Sequence, residues 1–295
     1  MSVTVGIPVY NEGPNILRLV KSIMKQDVKI DKIIIVDDGS NEATRKILER
    51  IKILYPQVDI IRVPKNKGKA NALNIIFKHT TSDYLVLFDS DIYLHSKNTI
   101  YNLIKCAEKY NAQLVCGWYF IKIKNNKSIV QRAYRFSSRF LYEIAKNCDH
   151  GITAIGIVML LKRELYSKLQ LPTNLTRIDA YIYLATIKGN MQFKSCPNAL
   201  VTVLLTGNET LKQFIYRQER SRTIPPQHLH LFGELAKKEL NYPPLGITVH
   251  SFIRAFVRSP IDGISWVILK IISWIYRKIF KIKVSATWRK YEGYS

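Results

Sequence analysis

Asp89 and Asp91 stand one residue apart where the apolar run Tyr84-Leu85-Val86-Leu87-Phe88 stops. Carboxylates at i and i+2 of an extended chain point the same way, so both can reach one hard cation or one metal-bound diphosphate. A bare Asp-x-Asp also arises as an ordinary solvated strand end, so its weight depends on its company. That company lies upstream. Tyr10-Asn11-Glu12 follows the run Val3 to Val9, Asp37-Asp38 follows Ile33 to Val36, and the basic loop Asn66-Lys67-Gly68-Lys69 follows Val58 to Val63.

Converging these clusters is a task for the elements between them. Ile16, Leu19, Val20 and Ile23 fall at helical spacing within 15–26, as do Ile47, Leu48 and Ile51 within 42–55, and a third helix is predicted over 70–78. Strands alternating with helices through short connections predict a parallel, doubly wound sheet. Tyr10-Asn11-Glu12, Asp37-Asp38 and Asp89-Ser90-Asp91 then sit at carboxyl ends of strands, on the sheet edge where ligands of open α/β folds bind. Further on, the pattern predicts a helix over 96–110, an extended segment over 112–124, and a basic, aromatic segment over 125–146. In the last, Arg132, Arg135 and Arg139 interleave with Tyr134, Phe136 and Phe140. It reads either as an acceptor groove or as a helix with solvated cations. An apolar run over 152–161, a helix around Asp179 closed by Gly189, a strand over 193–205 and a helix over 210–222 complete the compact part. Pro225-Pro226 and Pro243-Pro244 bracket a short helical piece beyond it.

The 295 residues are enough for one α/β domain and an appendage. Lys and Arg number 45 against 22 Asp and Glu, and the formal charge of +23 calls for an anionic partner: nucleic acid, an acidic membrane surface or a phosphorylated substrate. The four cysteines have no metal-ligand spacing and read as reduced thiols. Strand-like sequence begins at Val3, which leaves no room for a signal peptide and predicts a cytoplasmic catalytic part. From Phe252 to Lys283 an apolar stretch carries Ile261, Ile264, Ile268, Ile271, Ile275 and Ile279 at helical spacing, with Trp266, Trp274 and the cations Lys270, Arg277, Lys278, Lys281 and Lys283. Asp262 and Lys270 interrupt it short of the ~18 apolar residues a spanning helix needs. A helix in the interface of an anionic membrane is expected, with packing on the protein core or on a second subunit as the alternative.

Four ordered motifs resemble family 2 glycosyltransferases, the inverting enzymes of GT-A fold: Ile7-Pro8-Val9-Tyr10-Asn11-Glu12, Val36-Asp37-Asp38-Gly39-Ser40, Asn66 to Asn74, and Phe88-Asp89-Ser90-Asp91. The resemblance is close over about the first hundred residues and looser to residue 222. It implies a GT-A catalytic domain over 1–222, with a nucleotide-sugar half at 1–111 and an acceptor half at 112–222; the composition of the tail adds a helical, membrane-associating region at 223–295. The resemblance also implies a nucleotide-diphosphosugar donor held by Pro8, Tyr10, Glu12, Asp38, Lys69, Asp89 and Ser90, and Mg²⁺ or Mn²⁺ held by Asp91 with Asp89.

The family's catalytic base maps to Asp179, although Ile178 stands where the family commonly has glutamate; a carboxylate favoured by the helix dipole is the plain alternative. Gln218, Arg220 and Arg222 are candidates for the diphosphate or acceptor. The expected acceptor is a carbohydrate or a lipid phosphate, and a lipid phosphate would need no base. The place expected is the inner face of the cell membrane, with the protein peripheral and non-processive. Three rivals stand beside this reading. A nucleotidyltransferase would carry a Gly-rich, Arg-containing loop where Tyr10-Asn11-Glu12-Gly13-Pro14 stands. A non-catalytic homologue and a nucleic-acid binder remain, though no specific nucleic acid is expected.

Overall fold

The computed structural model describes residues 1–280 except 124–126, 150–152, 174, 206, 223 and 242, and the side chain of Arg222 also lies outside the described set. The expected Lys281 and Lys283 fall beyond it. Among the described residues the sheet has eight strands: β1 (Val3–Val9), β2 (Lys32–Asp38), β3 (Val58–Val63), β4 (Tyr84–Phe88), β5 (Ile92–Leu94), β6 (Leu114–Lys122), β7 (Val158–Lys162) and β8 (Phe193–Leu204), in the order β3-β2-β1-β4-β7-β6-β8-β5.

β1 is parallel to β2 and β4, and β2 to β3. Every residue of β1 is buried, as expected of a parallel strand covered on both faces. In β2 the faces alternate: Ile33 and Ile35 join one core cluster, Ile34 and Val36 the other. Helices α1 (Pro14–Ile23), α2 (Glu42–Leu54) and α3 (Lys69–Lys78) are the predicted crossovers, and α1 buries Ile16, Leu19, Val20 and Ile23. Strand order reverses between β1 and β4, the switch point at which a ligand crevice opens.

The second half is mixed. β7 runs antiparallel to β4 and β6, β8 runs parallel to β6, and the short β5, which the sequence reading did not separate from the loop after Asp91, pairs antiparallel with β8. Helices α4 (Thr99–Lys109), α7 (Ile178–Lys188) and α8 (Leu211–Arg222) match the predicted segments; the basic, aromatic segment forms the helix α5 (Ile129–Ala145), and the short α6 (Arg163–Tyr166) follows β7. α9 (Pro226–Phe232) and α10 (Glu234–Glu239) rest on the core through Leu229, Phe232 and Ala236.

The predicted single helix over 252–283 is two helices, α11 (Leu245–Arg258) and α12 (Pro260–Ile279). Pro260 lacks the N–H that would carry one helix through, and it suits the first position of a new one. Both pack on α5, where Phe136, Phe140, Phe252 and Trp266 form an aromatic cluster with centroids 5.5–6.3 Å apart. Asp262 does not break the helix outward. It turns inward and takes a two-point ion pair from Arg135, both contacts at 2.7 Å, and a third contact from Arg139 at 3.3 Å. Among the described residues no helix is long and apolar enough to cross a membrane.

Candidate active site

The carboxyl ends of β1, β2 and β4 bring Tyr10 to Glu12, Asp37-Asp38 and Asp89 to Asp91 to one edge. Short side-chain ties fix the loops there. Asn11, in the left-handed region at φ 54°, donates its N–H to Ser40 Oγ at 3.0 Å and accepts Asn41 N–H on its own Oδ1 at 2.7 Å. Asp37 accepts Ser40 N–H at 2.9 Å and Arg62 Nε at 3.2 Å, so it serves the loop.

Asp38 accepts the N–H of Lys67 at 2.9 Å and of Gly68 at 2.7 Å, which draws the basic loop over the crevice. Gly39 has φ 77°, and a Cβ there would come within 2.8 Å of Asn66 N, so only glycine lets the two loops meet. Burial raises the pKa of Asp38 although the two N–H groups pull it down. Pro8 lies in β1 opposite Val36, and Ser90 is buried between the two aspartates.

Asp89 forms an ion pair with Lys69 and donates its N–H to Ile157 O at 3.0 Å. Asp91 keeps its side chain open to solvent at the crevice floor, yet protein encloses it on most sides. That enclosure pushes its pKa up to about 6; Asp89 and then Glu12 add to the rise, and Arg217 and Lys69 oppose it. Carboxylates gathered against their own repulsion suit a cation. Among the described residues no three His, Cys, Asp or Glu side chains form a metal group by themselves. Two carboxylates with phosphate oxygens and water would satisfy a hard divalent ion, so the residues fit Mg²⁺ or Mn²⁺ bound together with a diphosphate.

Asp179 sits in the first turn of α7 and accepts the N–H of Ala180 at 2.9 Å. It rests on Gly156, where any Cβ would come within 3.1 Å of its own. Arg177, the residue before the helix, is left-handed at φ 52°, and His228 Nε2 meets its carbonyl at 3.1 Å. A carbonyl only accepts, so Nε2 carries the proton. His228 is fully buried, and burial lowers its pKa. Tyr119 on β6 feels both Asp179 and Arg217, and burial raises its pKa. Asp179 and Arg217 therefore act on the same phenol.

Of the three candidates on α8, Gln218 accepts a hydrogen bond from Lys270, Arg220 is exposed, and the side chain of Arg222 is not described. The residue whose charge reaches Asp91 is Arg217, which the sequence reading passed over. Its guanidinium stacks 5.1 Å above the Tyr134 ring, itself edge-on to Phe214 at 5.2 Å. Helical phase does not single it out: Arg217 and Gln218 stand three and four residues after Phe214, both on its side of α8, and what separates them is the packing of Tyr134 under Arg217 and of Lys270 against Gln218. Tyr119 and His228 were also missed, because neither lies in a recognisable motif.

The family model described as Glycosyl transferase family 2 matches residues 4–170, a span that holds the crevice motifs but not Asp179 or Arg217. A glucosyltransferase of Escherichia coli, named for UDP-Glc and α-D-GlcNAc-diphosphoundecaprenol, is 28% identical over 193 residues, 64% of this chain and 70% of its own. An uncharacterized protein of Methanocaldococcus jannaschii is 38% identical over 116 residues, 38% of this chain and 49% of its own, so the match spans about half of that relative. Among solved structures, the Pyrobaculum calidifontis mannosyltransferase with GDP-Man and Mn²⁺ superposes with TM-score 0.55 at 18% identity, covering 95% of this chain and 81% of its own. Staphylococcus aureus TarS residues 1–349 with UDP-GlcNAc gives TM-score 0.55 at 15% identity, covering 96% and 93%. At such identity these two speak for the GT-A fold alone. The family match covers more than half of the sequence and coincides with the sheet edge where the carboxylates meet, and the chain therefore belongs to glycosyl transferase family 2.

Proposed function

We propose that this glycosyltransferase moves a sugar from a nucleotide-diphosphosugar to a lipid-linked or membrane-proximal carbohydrate by a single displacement with inversion. The observation that carries the reading is that Glu12, Asp89, Lys69 and Arg217 all act electrostatically on Asp91, with Lys69 paired to Asp89, at one sheet edge. Tyr10, Glu12 and Asp38 hold the nucleobase and ribose, with Pro8 and Ser90 shaping the floor. Asp91, with Asp89, would hold Mg²⁺ or Mn²⁺, which when bound offsets the charge of the departing diphosphate. Lys69 and Arg217 add fixed positive charge on the same group. Asp179 takes the proton from the acceptor hydroxyl as that oxygen attacks the anomeric carbon. The acceptor assignment draws on the E. coli relative, whose name specifies a diphosphoundecaprenol-linked substrate. The membrane-surface assignment draws on the charge of +23 and the apolar C-terminal helices.

The test is release of nucleoside diphosphate from a panel of UDP- and GDP-sugars, with Mn²⁺ or with chelator, in the presence of lipid extract. Metal-dependent release from at least one donor is expected. No release from any donor would remove the reading.

A further inference from the structure

Exposed large apolar side chains concentrate on α11 and α12. Val249, Ile253 and Val257 recur at i+4 on α11, and on α12 Ile264, Ile268, Ile271 and Ile275 form one stripe, 41–54% exposed. The stripe lies opposite the inner face of α12, where Asp262, Ser265, Leu269 and Ser273 are buried. Exposed Arg254, Arg258 and Lys278 accompany these residues, and between 245 and 280 the one acidic residue is Asp262, buried in its ion pairs with Arg135 and Arg139. An apolar face flanked by cations without exposed acids complements an anionic lipid surface. It disfavours a two-fold dimer, which would set the same cations against one another.

The inner face of α12 leads back to the crevice. Lys270 bonds Gln218, and Arg277 reaches the buried Glu219 at 3.4 Å, both on α8. Leu269 packs in one cluster with Tyr134, the ring under Arg217, and with Phe214, which meets that ring edge-on. A flat ligand that meets the stripes of α11 and α12 together favours the arrangement in which both face outward, which is the one with this inner face seated, and with it the position of Arg217.

We propose that the outer faces of α11 and α12 dock on an anionic bilayer, and that α12 passes this docking through α8 to Arg217, tightening nucleoside diphosphate binding. The coupling half rests on the donor reading given above; the docking half does not.

Two measurements test it on the full chain. In flotation with phosphatidylcholine–phosphatidylglycerol vesicles, the wild type floats, floats poorly with phosphatidylcholine alone, and Ile264→Glu/Ile268→Glu/Ile271→Glu loses about tenfold or more of its vesicle affinity. Equal flotation of wild type and variant overturns the docking, as does a wild type that ignores vesicles and is a dimer which the variant dissociates. In titration with UDP and GDP plus Mn²⁺, the mixed vesicles tighten the wild type about threefold or more. Lys270→Met/Arg277→Leu still floats but gains nothing. An unchanged wild-type affinity on vesicles overturns the coupling. Absence of nucleotide binding in every condition, beside intact flotation, overturns the donor reading and leaves the docking standing.

Discussion

Asp91 is held among charges of its own sign, and that arrangement costs stability when no cation is bound. Asp91→Asn removes repulsion from Asp89 and Glu12. Without metal, the variant is expected to gain roughly 1 kcal/mol in denaturant unfolding, while metal-dependent donor turnover falls by about 10²-fold or more. Unchanged turnover would remove Asp91 from the metal role. Asp179→Asn is expected to stop transfer to a hydroxyl acceptor and leave nucleotide affinity intact, as measured by product formation beside titration with the nucleoside diphosphate. Full activity in that variant would point to a phosphate acceptor, which needs no base. His228→Leu frees the carbonyl of left-handed Arg177 and should lower kcat more than it raises KM, since His228 orients the turn that carries Asp179. Asp89 and Asp91 were legible because an apolar run ends on them. His228 was not, because its partner is a backbone atom 51 residues away.

At the scale of elements, the crossovers α1 to α3 and their strands were readable because apolar spacing fixes both the period and the buried face. β5 was not, since three residues are too few to show a period. The break between α11 and α12 was signalled by Pro260, yet the continuous apolar composition masked it. The role of Asp262 depends on Arg135 and Arg139, more than a hundred residues upstream, and no local pattern reveals that. Asp262→Ala leaves both guanidiniums without their carboxylate and should destabilise the fold by ~2–3 kcal/mol in denaturant unfolding, since a broken buried pair strands its partners; Arg139 is partly solvated, which holds the cost down.

Lys270 offers a pH test of the α8–α12 seam. Burial, aided by Arg277, lowers its pKa to about 8 from 10.5. Between those values the unfolded chain holds a proton that the folded chain lacks, so this group makes stability rise with pH across that window. Lys270→Met should flatten the rise relative to wild type in pH-dependent unfolding.

For the whole molecule, a charge of +23 spread over a GT-A fold was readable as attraction to something anionic, but composition alone could not say where. The structure separates two cation-bearing regions: the crevice, where Lys69 and Arg217 stand beside carboxylates, and the C-terminal helices, where cations flank an apolar face. Salt should therefore weaken vesicle binding much more than nucleotide binding, because exposed charges are screened and a metal-bridged diphosphate is screened far less. The central claim is that Tyr10, Asp38, Asp89 and Asp91 surround one sugar nucleotide and its cation. A crystal structure with a nucleoside diphosphate and Mn²⁺ tests it most directly: the account predicts the metal between Asp91 and the diphosphate, with the nucleoside lying along Tyr10 and Asp38. Nucleotide seated elsewhere on the protein, or a metal that leaves Asp91 untouched, would contradict it.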